Sequence, residues 1–394
     1  MVKCAYWPLR PSPQKDESLA SWFARLSLAN GLRPTELLPV VVPGIHPSRR
    51  DIDRFACSTL IDALSTNTGV PQATLETMHF GHWHGRLYNV DHGRGVLQWF
   101  LPLQPNESRR LYGQQFCPHC LADDKRPYLR LDWRLSFVSA CPRHRTVLID
   151  RCPNCRAPLR AMGLPLGGAL HICGTCGTNL TQGKNEREDR ASRPLLNAQK
   201  ALLDLAGKES AHLGDYGIVD TMTIFDVLRR LLQVLASRST ALPLRVQVLR
   251  NVRLDLSPTS VPRLREFHLF NPRARSVLVC LAWWLLQDWP ARFVDSCKAA
   301  GITTRDLIKL KQTSPAEYAE PVATYFARPA PTPKEQSPRL PGSARWGTHR
   351  YWKLDGVSST TRAAARRAAR ANGENVGAWV EKVLRKELLQ FPLA

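Results

Sequence analysis

The sequence predicts a mainly α, multi-domain fold, and three observations carry that prediction. Apolar residues recur at helical spacing through most of the chain, cysteines gather in regular pairs between residues 117 and 176, and a proline-rich stretch sets off a basic tail. With 394 residues the chain has material for roughly two to four domains. Its 43% apolar and 22% charged content is that of an ordinary globular protein, not of a disordered one.

The first element is an amphipathic helix within residues 16–40. Leu19, Trp22, Phe23, Leu26 and Ala29 form one apolar stripe, Asp16 or Ser18 can cap its start, and Asn30-Gly31 can end it. Pro34-Thr35 then opens a short second helix through Leu37 and Leu38. The pattern repeats with Phe55, Leu60 and Leu64 on one helix, a Thr68-Gly69-Val70-Pro71 turn, and Leu75 and Met78 beyond it. Two helices joined by a short Gly-containing turn can present one of them to a DNA groove, but the same pattern also fits a plain helical bundle. On pattern alone the bundle is the weightier reading. Residues 1–110 are taken as this N-terminal helix–turn–helix region.

The second element, residues 111–182, holds seven of the 11 cysteines. Cys117-Pro-His-Cys120 and Cys141-Pro-Arg-His144 give CxxC…CxxH with twenty residues between the halves. Cys152-Pro-Asn-Cys155 and Cys173-Gly-Thr-Cys176 give CxxC…CxxC with seventeen between. Two thiolates on a tight turn converge on one metal, and two such turns complete a tetrahedron, so this spacing predicts two structural Zn2+ in a pair of zinc ribbons. Four protein ligands leave no open position for a catalytic water. Sequential pairing closes the shorter loops, although interleaved pairing, or His119 or His171 in place of a neighbour, satisfies the same spacing. Cys4, Cys57, Cys280 and Cys297 stand alone. The cluster His79, His82 and His84, with His92 beyond it, fits a solvated loop better than a further metal or nucleic-acid site.

The third element, residues 190–327, reads as helical, with stripes at Ile224, Val227, Leu228, Leu231 and Leu235 and at Leu278, Leu281, Ala282 and Leu285. The ten-residue apolar run Val277 to Leu286 is about half the ~20 residues a membrane span needs. No apolar signal segment is visible in the first residues, so no membrane is expected. Clustered cysteines in a chain with Lys plus Arg at 55 against Asp plus Glu at 33 point to metal ligation in the cytoplasm, beside the nucleoid. The resulting charge of +22 calls for a polyanionic partner, for which DNA is the leading candidate.

Residues 328–347 carry prolines 329, 331, 333, 338 and 341, the composition of a linker. In residues 348–394, HRYWKL alternates as a short strand could, Arg362 to Ala371 is an Ala/Arg-rich helix, Gly373 ends it, and a second helix carries Val376, Trp379, Val380, Val383, Leu384 and Leu388. Strand, helix, turn and helix resemble a ribbon–helix–helix module. That resemblance implies a homodimer with a paired ribbon in the DNA major groove. Arg362, Arg366 and Arg370 lie at i, i+4, i+8, and with Arg350 and Lys353 they are the expected DNA contacts.

The stretch Gln115 to Leu159, with its CPxC, YLRLDWRLSFVSACPRH and LIDRCPNCRAPL segments, resembles the TniQ family of transposition proteins. DESLASWFARLSLANG in the Pro13 to Leu38 segment resembles the family's N-terminal helix–turn–helix, and WWLLQDWPARF (Trp283–Phe293) resembles a stretch of its longer members. The resemblance implies a non-catalytic adaptor that selects the target site, linking DNA or a CRISPR guide-RNA effector complex to an AAA+ transposition ATPase. It assigns zinc binding to Cys117, Cys120, Cys141, His144, Cys152, Cys155, Cys173 and Cys176. No GxxxxGK[ST], GxSxG, HExxH or Gly-rich dinucleotide loop is present, so no enzyme is expected. A stand-alone zinc-containing transcriptional regulator would use the same parts, and a zinc-supported nuclease would need acids scattered along the chain.

Overall fold

The computed structural model describes residues 6–44, 51–93, 95–102, 114–182, 190–237, 241–252, 267–308, 314–326, 357 and 359–388. It is mainly helical. The chain divides into two compact units, residues 1–330 and 331–394.

In the first unit, α1 (Leu19–Ala29) starts where the Ser18 side chain accepts the amide of Ser21, and its stripe Leu19, Trp22, Phe23 and Leu26 is fully buried. Gly31, at φ 77°, takes the left-handed position that turns the chain toward α2 (Pro34–Val41), which has proline in its first turn. The single turn α3 (Ile52–Phe55) follows, then α4 (Ser58–Thr68), closed by Gly69 at φ 76°, and α5 (Gln72–Glu76). Phe55 does not share a helix with Leu60 and Leu64, as the sequence had suggested. Ala56 and Cys57 are extended and redirect the chain between α3 and α4.

The cysteine-rich segment, which holds the short helix α6 (Pro118–Asp123) and the strands β1 (Ala140–Cys141) and β2 (Thr146–Val147), packs directly on these helices. Ser18 donates its amide to the carbonyl of Leu129, Leu131 donates to that of Asp16, and Ser21 Oγ accepts the amide of Leu129. The deepest link is Arg134, a fully buried cation. It reaches Asp53 at 2.6 Å, Asp51 at 2.7 Å and the carbonyl of Leu101 at 2.8 Å. Asp53 also accepts the amide of Ala20 at 2.7 Å, so one carboxylate serves both the first turn of α1 and the guanidinium.

Residues beyond 190 build a helical layer around α10 (Pro272–Leu286), which packs on α7 (Arg193–Ala206), α8 (Thr221–Leu235), α9 (Ala241–Val252) and α11 (Ala291–Ala299), with α12 (Thr304–Leu307) and α13 (Ala316–Phe326) after it. Apolar on most sides, α10 is the central helix of this layer, which accounts for the apolar run noted in the sequence. Among the described residues no helix is long and apolar enough to cross a membrane. Gln199 on α7 binds both amides of Ser139 and Ala140 and the carbonyl of Ala140, fixing the layer to the cysteine-rich segment. Arg275, buried on α10, donates to Gln115 at 2.6 Å.

One hairpin interrupts this helical region. β3 (Ser210–His212) pairs antiparallel with β4 (Ile218–Asp220). At Gly214, φ 47°, a Cβ would lie 1.8 Å from the carbonyl oxygen of Trp289, so only glycine fits where the hairpin meets the loop after α10.

In the second unit, α14 (Ser359–Ala371) and α15 (Val376–Leu388) pack together across a turn with Gly373 at φ 65°. The expected strand HRYWKL and the proline-rich linker lie outside the described residues.

Candidate metal centres

The eight ligands proposed from spacing fall into two clusters, grouped sequentially. Cys117, Cys120, Cys141 and His144 form the first and Cys152, Cys155, Cys173 and Cys176 the second, and within each the ligand atoms lie within 4.8 Å of one another. His119 and His171 belong to neither. His119 instead packs its ring 5.4 Å from that of His144.

Each half-site is a tight turn. Pro118 opens the short helix α6 (Pro118–Asp123), which carries Cys120 one turn after Cys117. The partner turn lies between β1 (Ala140–Cys141) and β2 (Thr146–Val147), an antiparallel pair that holds Cys141 beside His144. Arg145, Arg156 and Gly177 each follow the second ligand of a turn and return their amides to Cys141, Cys152 and Cys173 at 2.8, 3.1 and 2.9 Å. All three are left-handed, at φ 53°, 63° and 72°. For the two arginines that conformation costs about 1–2 kcal/mol each.

The spacing of the donors fits zinc. A tetrahedral ion with Zn–S of ~2.3 Å and Zn–N of ~2.05 Å sets sulfurs ~3.8 Å apart and sulfur and nitrogen ~3.5 Å apart. In the first cluster, His144 Nδ1 stands 3.4, 3.3 and 3.5 Å from the sulfurs of Cys117, Cys120 and Cys141, and Cys120 and Cys141 are 3.5 Å apart. In the second, Cys152–Cys176 and Cys155–Cys173 are both 3.7 Å. Both centres present four soft or borderline donors, the chemistry zinc prefers.

A second layer of groups orients the ligands. Nε2 of His144 meets Asp123 Oδ2 at 3.0 Å, which commits Nδ1 to the metal side. Thr146 Oγ1 lies 3.7 Å from Cys117 Sγ, and Asn154 bridges Cys176 and Thr178. Contact with Cys120 and Cys141 holds the Cys117 thiol below the usual range, toward the thiolate that a metal ligand must be. The Thr178 hydroxyl and amide hold Cys176 down at about 5. Asp123, Asn154 and Thr178 were not singled out from sequence. The one available signal was polar residues two or three positions from a ligand.

The two centres differ in exposure. Cys117, Cys120 and Cys141 are 0, 2 and 2% exposed, whereas Cys155 and Cys176 face solvent. Residues 8–148 match the TniQ family model. The chain carries a TniQ domain. It spans the N-terminal helices, the Arg134 cluster and every ligand of the first centre, and it stops before the Cys4 centre. It associates the chain with transposition. No curated protein matches the chain.

Arg362, Arg366 and Arg370 are all exposed on α14, while Arg350 and Lys353 lie outside the described residues. The histidines do not converge. His79 accepts the amide of Gly81 and contacts Glu76 at 2.8 Å, His84 reaches the carbonyl of Asn89, and burial lowers the pKa of His82.

Proposed function

We propose that this chain is a non-catalytic accessory protein of DNA transposition that selects the insertion site. It does so by holding target DNA, or a CRISPR guide-RNA effector complex, and engaging an AAA+ ATPase that recruits the transposase. The observation that carries this reading is the TniQ domain over residues 8–148.

Two structural zinc ions serve it, one at Cys117, Cys120, Cys141 and His144 and one at Cys152, Cys155, Cys173 and Cys176. The donor distances support that identity, and four ligands per ion leave no position for a reacting water, in keeping with a non-catalytic role. The first zinc stiffens the TniQ domain where it joins the helical layer.

The N-terminal helices contact DNA or the partner complex. In the tail, Arg362, Arg366 and Arg370, with Arg350 and Lys353, add phosphate contacts, and the exposed row of arginines on α14 supports this. Homodimerisation through the tail, and a cytoplasmic, nucleoid-associated location, go with the same reading.

A reconstituted transposition reaction tests it. Omitting the chain from a mixture of transposase, ATPase, donor and target should abolish insertion at the selected site while leaving the transposase active in cleaving donor ends. Site-selective insertion without the chain would refute the proposal.

A further inference from the structure

Two left-handed arginines stand at the metal turns, and neither supplies a metal ligand. Three of the four turns return to a ligand carbonyl through a left-handed residue, and at one of these the chain uses glycine, Gly177, as that conformation favours. At the other two it places Arg145 and Arg156, both exposed. Among the described residues neither guanidinium has an ion-pair partner. The backbone geometry is therefore not what calls for arginine, because glycine would meet it with less strain. What remains is the side chain, held at a rigid turn and turned out to solvent.

Arg145 also has company. Its carbonyl accepts the amide of Ala191 at 2.8 Å, and Thr146 bridges Arg190, so the segment leading into α7 runs beside the turn. That segment contributes Arg190 and Arg193, both exposed and likewise without an ion-pair partner among the described residues.

We propose that Arg145 and Arg156 are DNA phosphate contacts presented by the metal turns, with Arg190 and Arg193 extending the surface beside Arg145. A turn locked by a metal fixes the backbone from which the guanidinium extends, so only side-chain freedom is lost on contact, which suits a contact that fixes the register of a protein on the duplex. Such contacts are independent of sequence, so the target need not be known. The inference rests on the reading that this chain binds DNA. The competing role for these arginines is local: a zinc ion held by three or four thiolates is net negative, and a nearby cation would offset that charge.

The test uses the full-length, zinc-loaded protein and a labelled duplex of arbitrary sequence about 30 base pairs long, a length chosen to exceed the footprint of a single module. The double variant Arg145→Gly/Arg156→Gly should bind roughly tenfold more weakly near 0.1 M salt, with the slope of log K against log salt reduced by about 2. Its zinc content should be unchanged. Its melting temperature should be unchanged or raised by roughly 2 °C, because two strained positions are relieved. The double lysine variant should retain most of the binding, since a phosphate contact needs the charge.

Wild-type-like affinity and salt slope in the glycine variant would overturn the inference while leaving DNA binding by the chain intact. So would loss of zinc with unchanged binding per folded molecule, which is the outcome for counter-charges. Loss of binding in the lysine variant with zinc retained would equally contradict a simple phosphate contact. Failure of the wild-type protein to bind any duplex would remove the functional reading itself.

Discussion

Arg134 and Asp53 stand 81 positions apart in the chain, yet a guanidinium nitrogen of one lies 2.6 Å from a carboxylate oxygen of the other, with neither side chain reached by solvent. Asp51 completes the cluster at 2.7 Å. The arrangement ties the N-terminal helices to the segment between the halves of the first metal centre. Substituting Arg134→Met leaves two carboxylates buried without their cation, and it should cost about 3–5 kcal/mol. Urea denaturation of the zinc-loaded protein reads this directly, and Asp53→Asn, which keeps an acceptor for Ala20, should cost less. A methionine variant as stable as the wild type would show that the cluster does not hold the two segments together.

This cluster also marks the limit of what the sequence discloses. Local periodicity was legible: Leu19, Trp22, Phe23 and Leu26, and later Ile224, Val227, Leu228 and Leu231, lie buried on helices as their spacing required. Ligand spacing was legible too, because each pair is a local turn. Arg134 was visible only as one residue of a recognisable stretch, since nothing in a single sequence says that a charge pairs with acids far upstream. The β3–β4 hairpin escaped because strands of three residues leave no alternation to read, and its turn is set by contact with Trp289. The break between Phe55 and Leu60 was hidden by apolar spacing that two separate helices satisfy as well as one.

The unequal exposure of the two centres predicts unequal lability. A chromogenic chelator should remove zinc in two phases, the Cys4 centre with exposed Cys155 and Cys176 first and the buried centre more slowly. Cys152→Ser/Cys155→Ser should remove about one zinc per chain and the faster phase alone, with local unfolding around residues 152–176, because structural zinc contributes folding free energy directly. Unchanged zinc content, or loss of the slower phase, would contradict this assignment.

Asp123 offers a subtler probe. Its carboxylate orients His144 but is itself partly exposed. Asp123→Ala should therefore weaken zinc at the first centre by roughly tenfold, the lower end of the range for such supporting groups, and leave the second centre alone. Competition with a chelator of known affinity measures it.

Asp132 carries a pH signature. Burial, aided by the nearby charge of Asp16, raises its carboxyl from 3.8 to about 6. Between these values the folded chain holds a proton that the unfolded chain has released. The stability from this group is therefore full below pH 3.8 and is lost as pH rises through about 6. Asp132→Asn mimics the protonated form, so its advantage over the wild type in urea should grow as pH rises toward neutrality. A constant difference across that window would mean that Asp132 titrates normally in the folded state.

The arginines of α14 bear on the tail. Arg362→Gln/Arg366→Gln/Arg370→Gln should reduce the salt slope of duplex binding by at most about 3 while leaving zinc content untouched. An unaltered slope would make this basic face a solvated surface only.

The most direct measurement of the central claim is capture of a transposon-encoded AAA+ ATPase by the tagged, zinc-loaded protein on DNA, with zinc counted in the same sample. A site selector should carry two zinc ions per chain and retain the ATPase on DNA only when the chain is present. Tight DNA binding with no ATPase retained would contradict that claim and favour a stand-alone regulator.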